Sequence, residues 1–344
     1  MDLTHTDEQE LFRRSVREFV SDRLPLDRVA EIADGDGWDP GLWKEAAGLG
    51  LAGVSVPEEH GGAGLGFVEE AIVAEELGRG IFPGPWLGSV VLAQPALAEA
   101  PDVLRAVVAG DRIATVVGLD EAVAGSGGDL TGSAGHVVDL AAADLLVVST
   151  TEGLVAVDKD ATDWRLLETV DGTRRLGEVI FDGIRGKPVV EAAAAGPVLA
   201  AVRTRARAAL AAEAVGVAGR AVDMAVEYAK ERRQFDKPIG TYQAVSHQIA
   251  DAFMDAENAR SLMTWAVAAM EAGSEEAPVA AAAAFALAAE AAVRTCERAI
   301  QVHGGIGFTW EHPMHRFYKR ALWIPAFLGG PSEARRVVAS SLLD

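Results

Sequence analysis

The sequence predicts a mainly helical protein with a small β domain in its middle. Three observations lead there. Apolar residues recur at helical spacing over roughly the first 110 residues, short β-prone runs divided by Gly and Asp fill the stretch from Arg112 to Val190, and helical periodicity returns over long segments from about Ala194. The expected organisation is an N-terminal helical domain (1–111), a middle β domain (112–191) and a C-terminal helical bundle domain (192–344).

Thr6-Asp7-Glu8-Gln9 fits a capping box, in which the Thr6 hydroxyl and the Gln9 amide satisfy opposite orphan amides of a helix start. Phe12, Val16, Phe19 and Val20 then supply one apolar face. Further helical patterns run over 40–47, 67–77 and 87–97, divided by His60-Gly61-Gly62-Ala63-Gly64 and Phe82-Pro83-Gly84-Pro85. The β-prone runs are 113–117, 136–138, 145–149, 154–157 and 179–181. In the last stretch Leu210, Ala214, Val217, Ala221, Met224 and Tyr228 alternate at spacings of four and three, as do Val245, Ile249, Ala252, Ala256, Ala259 and Met263. Long helices of this kind, joined by short turns, pack as a bundle. The apolar run 277–289 is about half of what a bilayer crossing needs and is closed by Glu290 and Arg294, so it reads as a buried helix.

Composition narrows the partners. The chain has 344 residues, 31 Lys+Arg against 51 Asp+Glu, and a net charge of −20. That excess, with no local Lys/Arg run to offset it, repels a phosphate backbone, so no nucleic acid is expected. At 50% hydrophobic and 24% charged residues, a packed core is expected. The one cysteine, Cys296, can build neither an intrachain disulfide nor a thiolate metal site, which points to a core thiol and a reducing, cytoplasmic compartment. Met1-Asp2-Leu3-Thr4 is acidic and leads into no apolar stretch, so neither a signal peptide nor membrane association is expected.

Two short stretches carry chemistry. Arg232-Arg233-Gln234-Phe235-Asp236-Lys237-Pro238-Ile239-Gly240 closes the first long helix, and Arg232, four residues past Tyr228, offers a guanidinium able to bind an anionic oxygen with two donors. A solvated arginine at a helix C-terminus is the plainer alternative. Gln301-Val302-His303-Gly304-Gly305-Ile306-Gly307 ends another helix in glycines, which allow positive φ and close backbone approach to a flat ligand or a pyrophosphate, although a Gly-Gly pair is also an ordinary helix stop.

Together these stretches resemble the acyl-CoA dehydrogenase family over nearly the whole chain. The family pattern Arg-x-Gln-Phe-Gly-x-Pro-Ile-x-x-x-Gln runs from Arg232 to Gln243, with Asp236 where glycine is usual, and Gln-x-x-Gly-Gly-x-Gly runs from Gln301 to Gly307. Residues 56–66 followed by Glu75-Glu76-Leu77-Gly78 resemble its N-terminal helical domain, and 316–320 its penultimate turn. The resemblance implies a C-terminal four-helix bundle, an FAD cofactor lying across a subunit interface, an acyl-CoA substrate and electron-transfer flavoprotein or a similar acceptor. It makes Arg232, Gln234, Phe235, Gln301, Gly304 and Gly305 candidates for holding the pyrophosphate and adenosine half of a neighbour's FAD.

The catalytic pattern does not carry over. The family's glutamate base, which removes the acyl α-proton, falls on Gly329, and its alternative position falls on Ala206, just before the retained Arg207, a candidate substrate-binding residue. Glu213 lies roughly 10 Å along the helix from position 206 and reads as a helix-surface carboxylate or a partner of Arg220 or Arg207. By the resemblance, a flavin-gripping threonine of the β domain falls on Leu119 or Val138 and its aromatic ring on His136, and this domain is shortened. The groups serving a subunit's own active site are lost and those serving a neighbour's FAD are kept. The expectation is the non-catalytic subunit of an α2β2 heterotetrameric acyl-CoA dehydrogenase that forms a trans-2-enoyl-CoA, on the pattern of bacterial enzymes for steroid side chains, with a branched or medium acyl chain as the other substrate reading. A self-sufficient homotetramer using Glu213, Asp120 or Glu121 as base, and a flavin-free scaffold or CoA-thioester binding subunit in which Arg207 holds the ligand, are the alternatives.

Overall fold

The computed structural model describes residues 4–119, 121–126 and 129–343. Thr6 caps α1 (Asp7–Arg23) reciprocally: its hydroxyl accepts from the Gln9 N–H, and the Gln9 side chain accepts from the Thr6 N–H. α2 (Leu26–Asp34), α3 (Pro40–Gly48) and α4 (Phe67–Arg79) follow. Leu87–Ala93 forms π-helical turns that run into the short α5 (Gln94–Ala96), and α6 (Pro101–Val108) completes the N-terminal helices. The expected α-helix over 87–97 is thus largely π-helical, in a segment whose residues are all buried.

The strands are β1 (Ala114–Val117), β2 (Gly125–Ser126), β3 (Asp129–Val138), β4 (Leu145–Thr150), β5 (Gly153–Asp158), β6 (Asp163–Leu166), β7 (Leu176–Arg185) and β8 (Lys187–Glu191). They build two four-stranded sheets, in the orders β1-β4-β5-β8 and β2-β3-β7-β6, and only the β1–β4 pairing is parallel. Then come α7 (Ala192–Glu231), the hairpin β9 (Arg233–Gln234) and β10 (Lys237–Pro238), α8 (Gln243–Glu271), α9 (Ala277–His303), α10 (Met314–Trp323) and α11 (Gly330–Leu343).

The chain forms two compact units. One comprises the residues up to Ala30, Phe67–Phe82 and the chain from Arg207; the other comprises Glu31–Gly66 and Pro83–Ala206. In the first unit, α8 and α9 run antiparallel: the Thr295 hydroxyl reaches the Ala252 carbonyl and Asp255 pairs with Arg294 at 3.1 Å and with Arg298. Most of the run 277–289 is buried, with Ala280, Ala284 and Ala288 fully covered, and Cys296 is a core thiol that burial pushes to a high pKa.

The Glu75-Glu76-Leu77-Gly78 stretch has a structural role in this unit. Arg13 and Arg260 hold Glu75 at 2.7 and 2.6 Å, and Arg17 holds Glu76 at 2.7 Å. Burial pushes the Glu75 carboxyl up, but the two guanidiniums outweigh it and keep it below the usual carboxylate range. A Cβ on Gly78 or on Gly216 would come closer than 3.0 Å to the Glu213 or Glu75 carbonyl oxygen, so glycine at both positions lets α4 cross α7 closely.

The second unit holds the sheets. β4 is buried along five of its six residues, which matches its unbroken apolar run. Trp86 donates to the Leu51 carbonyl at 3.0 Å, and Asp139 accepts from the Gly88 N–H at 2.8 Å.

Candidate functional site

Arg232 follows the last turn of α7, with its N–H on the Tyr228 carbonyl at 2.8 Å. The β9–β10 hairpin turns on two residues, Phe235 (φ 49°) and Asp236 (φ 63°). Two-residue hairpins favour left-handed backbone at both central positions. Asp tolerates this region, so its presence where the family has glycine keeps the turn. Phe235 does not fit so readily: a bulky residue at positive φ is strained, and this one is 87% exposed. Arg233 on the Asp236 carbonyl at 2.7 Å and the Tyr242 hydroxyl on the Gln234 carbonyl at 3.1 Å fix the hairpin. The Arg232, Gln234 and Phe235 side chains all stand exposed.

At the end of α9, Gly304 takes φ 64° and ψ −140°, a region essentially reserved for glycine. Gln301, Gly304 and Gly305 are exposed, and nothing lies within 4 Å of a Cβ built on either glycine. The two segments meet through Tyr228 and His303, whose rings stack with centroids 4.6 Å apart. This ring contact thus ties the chain next to Arg232 to the chain next to Gly304. The chemistry of the six predicted residues suits half of an FAD site: a cation for pyrophosphate, amides and open backbone for polar edges, and an exposed aromatic face.

Neither base position holds an acid. Ala206 is fully buried. Gly329 sits at φ 71° between Leu328 (φ 53°) and Gly330 (φ 65°), and a Cβ on it would lie 2.8 Å from the Glu333 Cβ. A glutamate at 329 would need left-handed backbone and a displaced Glu333, so this turn suits glycine.

Glu213 is not the surface carboxylate expected of it. It is buried and pairs with Arg320 at 2.6 Å, while Arg220 lies 3.9 Å from Glu227. Nothing local announced this pair, because its members are far apart in the chain. Glu121 is exposed, and Asp120 lies outside the described residues. Arg207 is 8% exposed on α7. In the β domain Leu119 and Val138 are buried, and His136 is exposed at φ 58°. Both apolar side chains thus belong to the core of that domain.

A histidine cluster beside the Gly304 turn escaped the sequence reading, although His303 lies inside a motif that was recognised. His303 packs on His312 at 4.3 Å, and His315 meets the Trp310 ring at 4.8 Å. Burial, then the neighbouring His303 and His315, pushes His312 down to about 4, and burial also lowers His303 against the opposing hydrogen bond to Ala299. A histidine that titrates lower when folded binds fewer protons than in the unfolded chain. Its stability contribution is whole above its ordinary pKa of about 6.5 and is lost as pH falls through the window down to about 4. His312→Phe is expected to flatten the fall of urea stability across that window; an unchanged slope would remove His312 from the acid response.

The layout, with helices before and after a two-sheet β domain and an exposed arginine–aromatic hairpin beside a diglycine turn, is that of a helical flavoprotein oxidoreductase. The chain belongs to the acyl-CoA dehydrogenase family: the family's C-terminal domain matches residues 198–343 and its N-terminal domain residues 6–102. It is 33% identical over 345 residues to the acyl-CoA dehydrogenase IpdE2 of Mycobacterium tuberculosis, covering 99% of both chains, so that relative is equally short. Among solved structures it is similar to the ChsE4-ChsE5 complex of the same organism (TM-score 0.90, 29% identity, 100% of this chain and 99% of that one). It is also similar to the Tcur3481-Tcur3483 steroid ACAD G363A variant (TM-score 0.87, 32% identity, 97% of each chain).

Proposed function

We propose that this chain is the non-catalytic subunit of a heterotetrameric, FAD-dependent acyl-CoA dehydrogenase, and that it completes the FAD site of a partner subunit carrying the glutamate base. The observation that carries the reading is the contrast between the two ends of the machinery. Phe235 is held strained and 87% exposed beside an exposed Arg232, while the base positions are a buried Ala206 and a left-handed Gly329. Strain of this kind is retained where surrounding structure or a partner compensates for it. The similarity to two-component assemblies supports the same reading.

A bound FAD would supply a hydride acceptor for α,β-dehydrogenation of the acyl-CoA, with the base supplied by the partner. This chain's task is binding and orientation. The Arg232 guanidinium would neutralise pyrophosphate charge, the Gly304 and Gly305 backbone would allow its close approach, Gln234 and Gln301 would bond polar edges of the adenosine half, and Phe235 would cover an aromatic face. The acyl group we favour is a steroid side-chain thioester.

The test is expression alone and together with an acyl-CoA dehydrogenase subunit from the same genome that carries the glutamate base and an intact flavin loop. The chain alone is expected to be colourless and inactive, and the co-purified complex yellow and able to reduce an electron acceptor with an acyl-CoA. A yellow, active preparation of this chain by itself would overturn the proposal.

A further inference from the structure

Three rings at one end of the first unit form a column. Tyr228 on α7 stacks on His303 at the end of α9 (centroids 4.6 Å apart, planes 28° apart), and His303 packs on His312 from the stretch before α10 (4.3 Å, 50°). Each imidazole is turned by one hydrogen bond. The His303 Nδ1–H donates to the Ala299 carbonyl at 2.7 Å, and His312 Nδ1 accepts from the Met314 N–H at 3.2 Å. His303 is 3% exposed, whereas Tyr228 and His312 are half-buried, so the column is buried at its centre and partly open at both ends.

Both ends of the candidate site hang from this column through short main-chain links. The Tyr228 carbonyl accepts from the Arg232 N–H at 2.8 Å, so the ring and the arginine are one helical turn apart. His303 is bonded directly to Gly304, the residue at φ 64° that opens the diglycine turn. A shift of the His303 ring along Tyr228 therefore moves the Gly304–Gly305 backbone relative to Arg232. Aliphatic packing could fill the same volume, but stacked flat rings hold a narrower set of orientations.

We propose that the Tyr228–His303–His312 column is a positioning device that keeps the Arg232 turn and the Gly304–Gly305 backbone in register for one and the same FAD. His303 is its central positioning residue and makes no contact with the cofactor itself. The inference rests on the reading that these two segments hold a partner's FAD.

The experiment uses the co-purified complex, stripped of flavin and titrated with FAD by absorbance. Four variants of this chain are compared: Arg232→Ala, His303→Ala, His303→Phe, and Phe285→Leu. The last removes packing from the fully buried part of the same helix, roughly 27 Å from position 303. Arg232→Ala reports on the underlying reading. His303→Ala is expected to raise the FAD dissociation constant about tenfold, the scale of a lost ring pair, and His303→Phe to stay within about twofold of wild type. Phe285→Leu is expected to lower the melting temperature and leave FAD affinity unchanged. His303→Ala behaving like Phe285→Leu, or His303→Phe binding as weakly as His303→Ala, overturns the inference while Arg232→Ala still binds weakly. Unchanged affinity in Arg232→Ala overturns the underlying reading and the inference with it. Should His303→Ala not fold, the half-buried His312→Ala takes its place under the same expectations.

Discussion

Arg320→Ala is expected to lower folding stability by about 3–5 kcal/mol, read as a shift in the urea midpoint at unchanged slope. The Arg320 side chain is 1% exposed on α10, and its Nη1 donates to Glu213 Oε1 at 2.6 Å while Nη2 reaches the Phe82 carbonyl at 3.4 Å. Both charges have left water, and the desolvation cost of each is offset mainly by the other and by hydrogen bonds. Alanine keeps the cost for Glu213, withdraws the guanidinium and opens space where a long side chain was packed. The double variant Arg320→Met with Glu213→Leu removes both charges and fills most of the volume, so it is expected to recover the larger part of the loss. A loss below about 1 kcal/mol in Arg320→Ala would show that Glu213 is compensated without Arg320.

The pair also marks where the sequence stops being legible. The capping box at Thr6, the long helices read from alternating spacings of three and four, and the unbroken apolar run of β4 were readable because each is a local pattern with a local cause. β6 was not. All four of its residues are exposed, so Asp163–Leu166 shows no inside–outside alternation. β8 was hidden by Pro188, which is tolerated because β8 is the edge of its sheet. The π-helical turns of Leu87–Ala93 were read as α because a segment buried on every side has no polar face to reveal its pitch.

The candidate site divides in the same way. Arg232 to Gln243 and Gln301 to Gly307 are contiguous motifs, legible in the sequence as local patterns, as are the alanine at 206 and the glycine at 329. Pairings between distant elements were missed. Tyr228 counted only as one member of an apolar stripe, and nothing in that stripe says that its ring meets His303. Glu75 and Glu76 stood out as a family stretch, and only the fold gives their reason: they are buried carboxylates held by arginines from α1 and α8.

Arg232→Ala is the substitution expected to cost most in function while costing little in stability. The side chain is exposed in this chain, and the turn that carries it is fixed by main-chain bonds, with the Arg232 N–H on Tyr228 and its carbonyl receiving the Ile239 N–H at 2.8 Å. Removing an exposed side chain from such a turn should move stability by no more than about 0.5 kcal/mol. A guanidinium against a pyrophosphate at a water-poor interface is worth about 1.5–3 kcal/mol, so FAD affinity of the complex should fall by about 10- to 150-fold. Purified complex would then carry flavin well below the wild-type ratio at an unchanged melting temperature. Arg232→Lys separates charge from geometry: it keeps the point charge and loses the planar fork, so intermediate affinity with a steeper loss in salt is expected. Wild-type flavin content in Arg232→Ala would remove this residue from the site, and equal loss of flavin and of melting temperature would make it a structural residue of the hairpin.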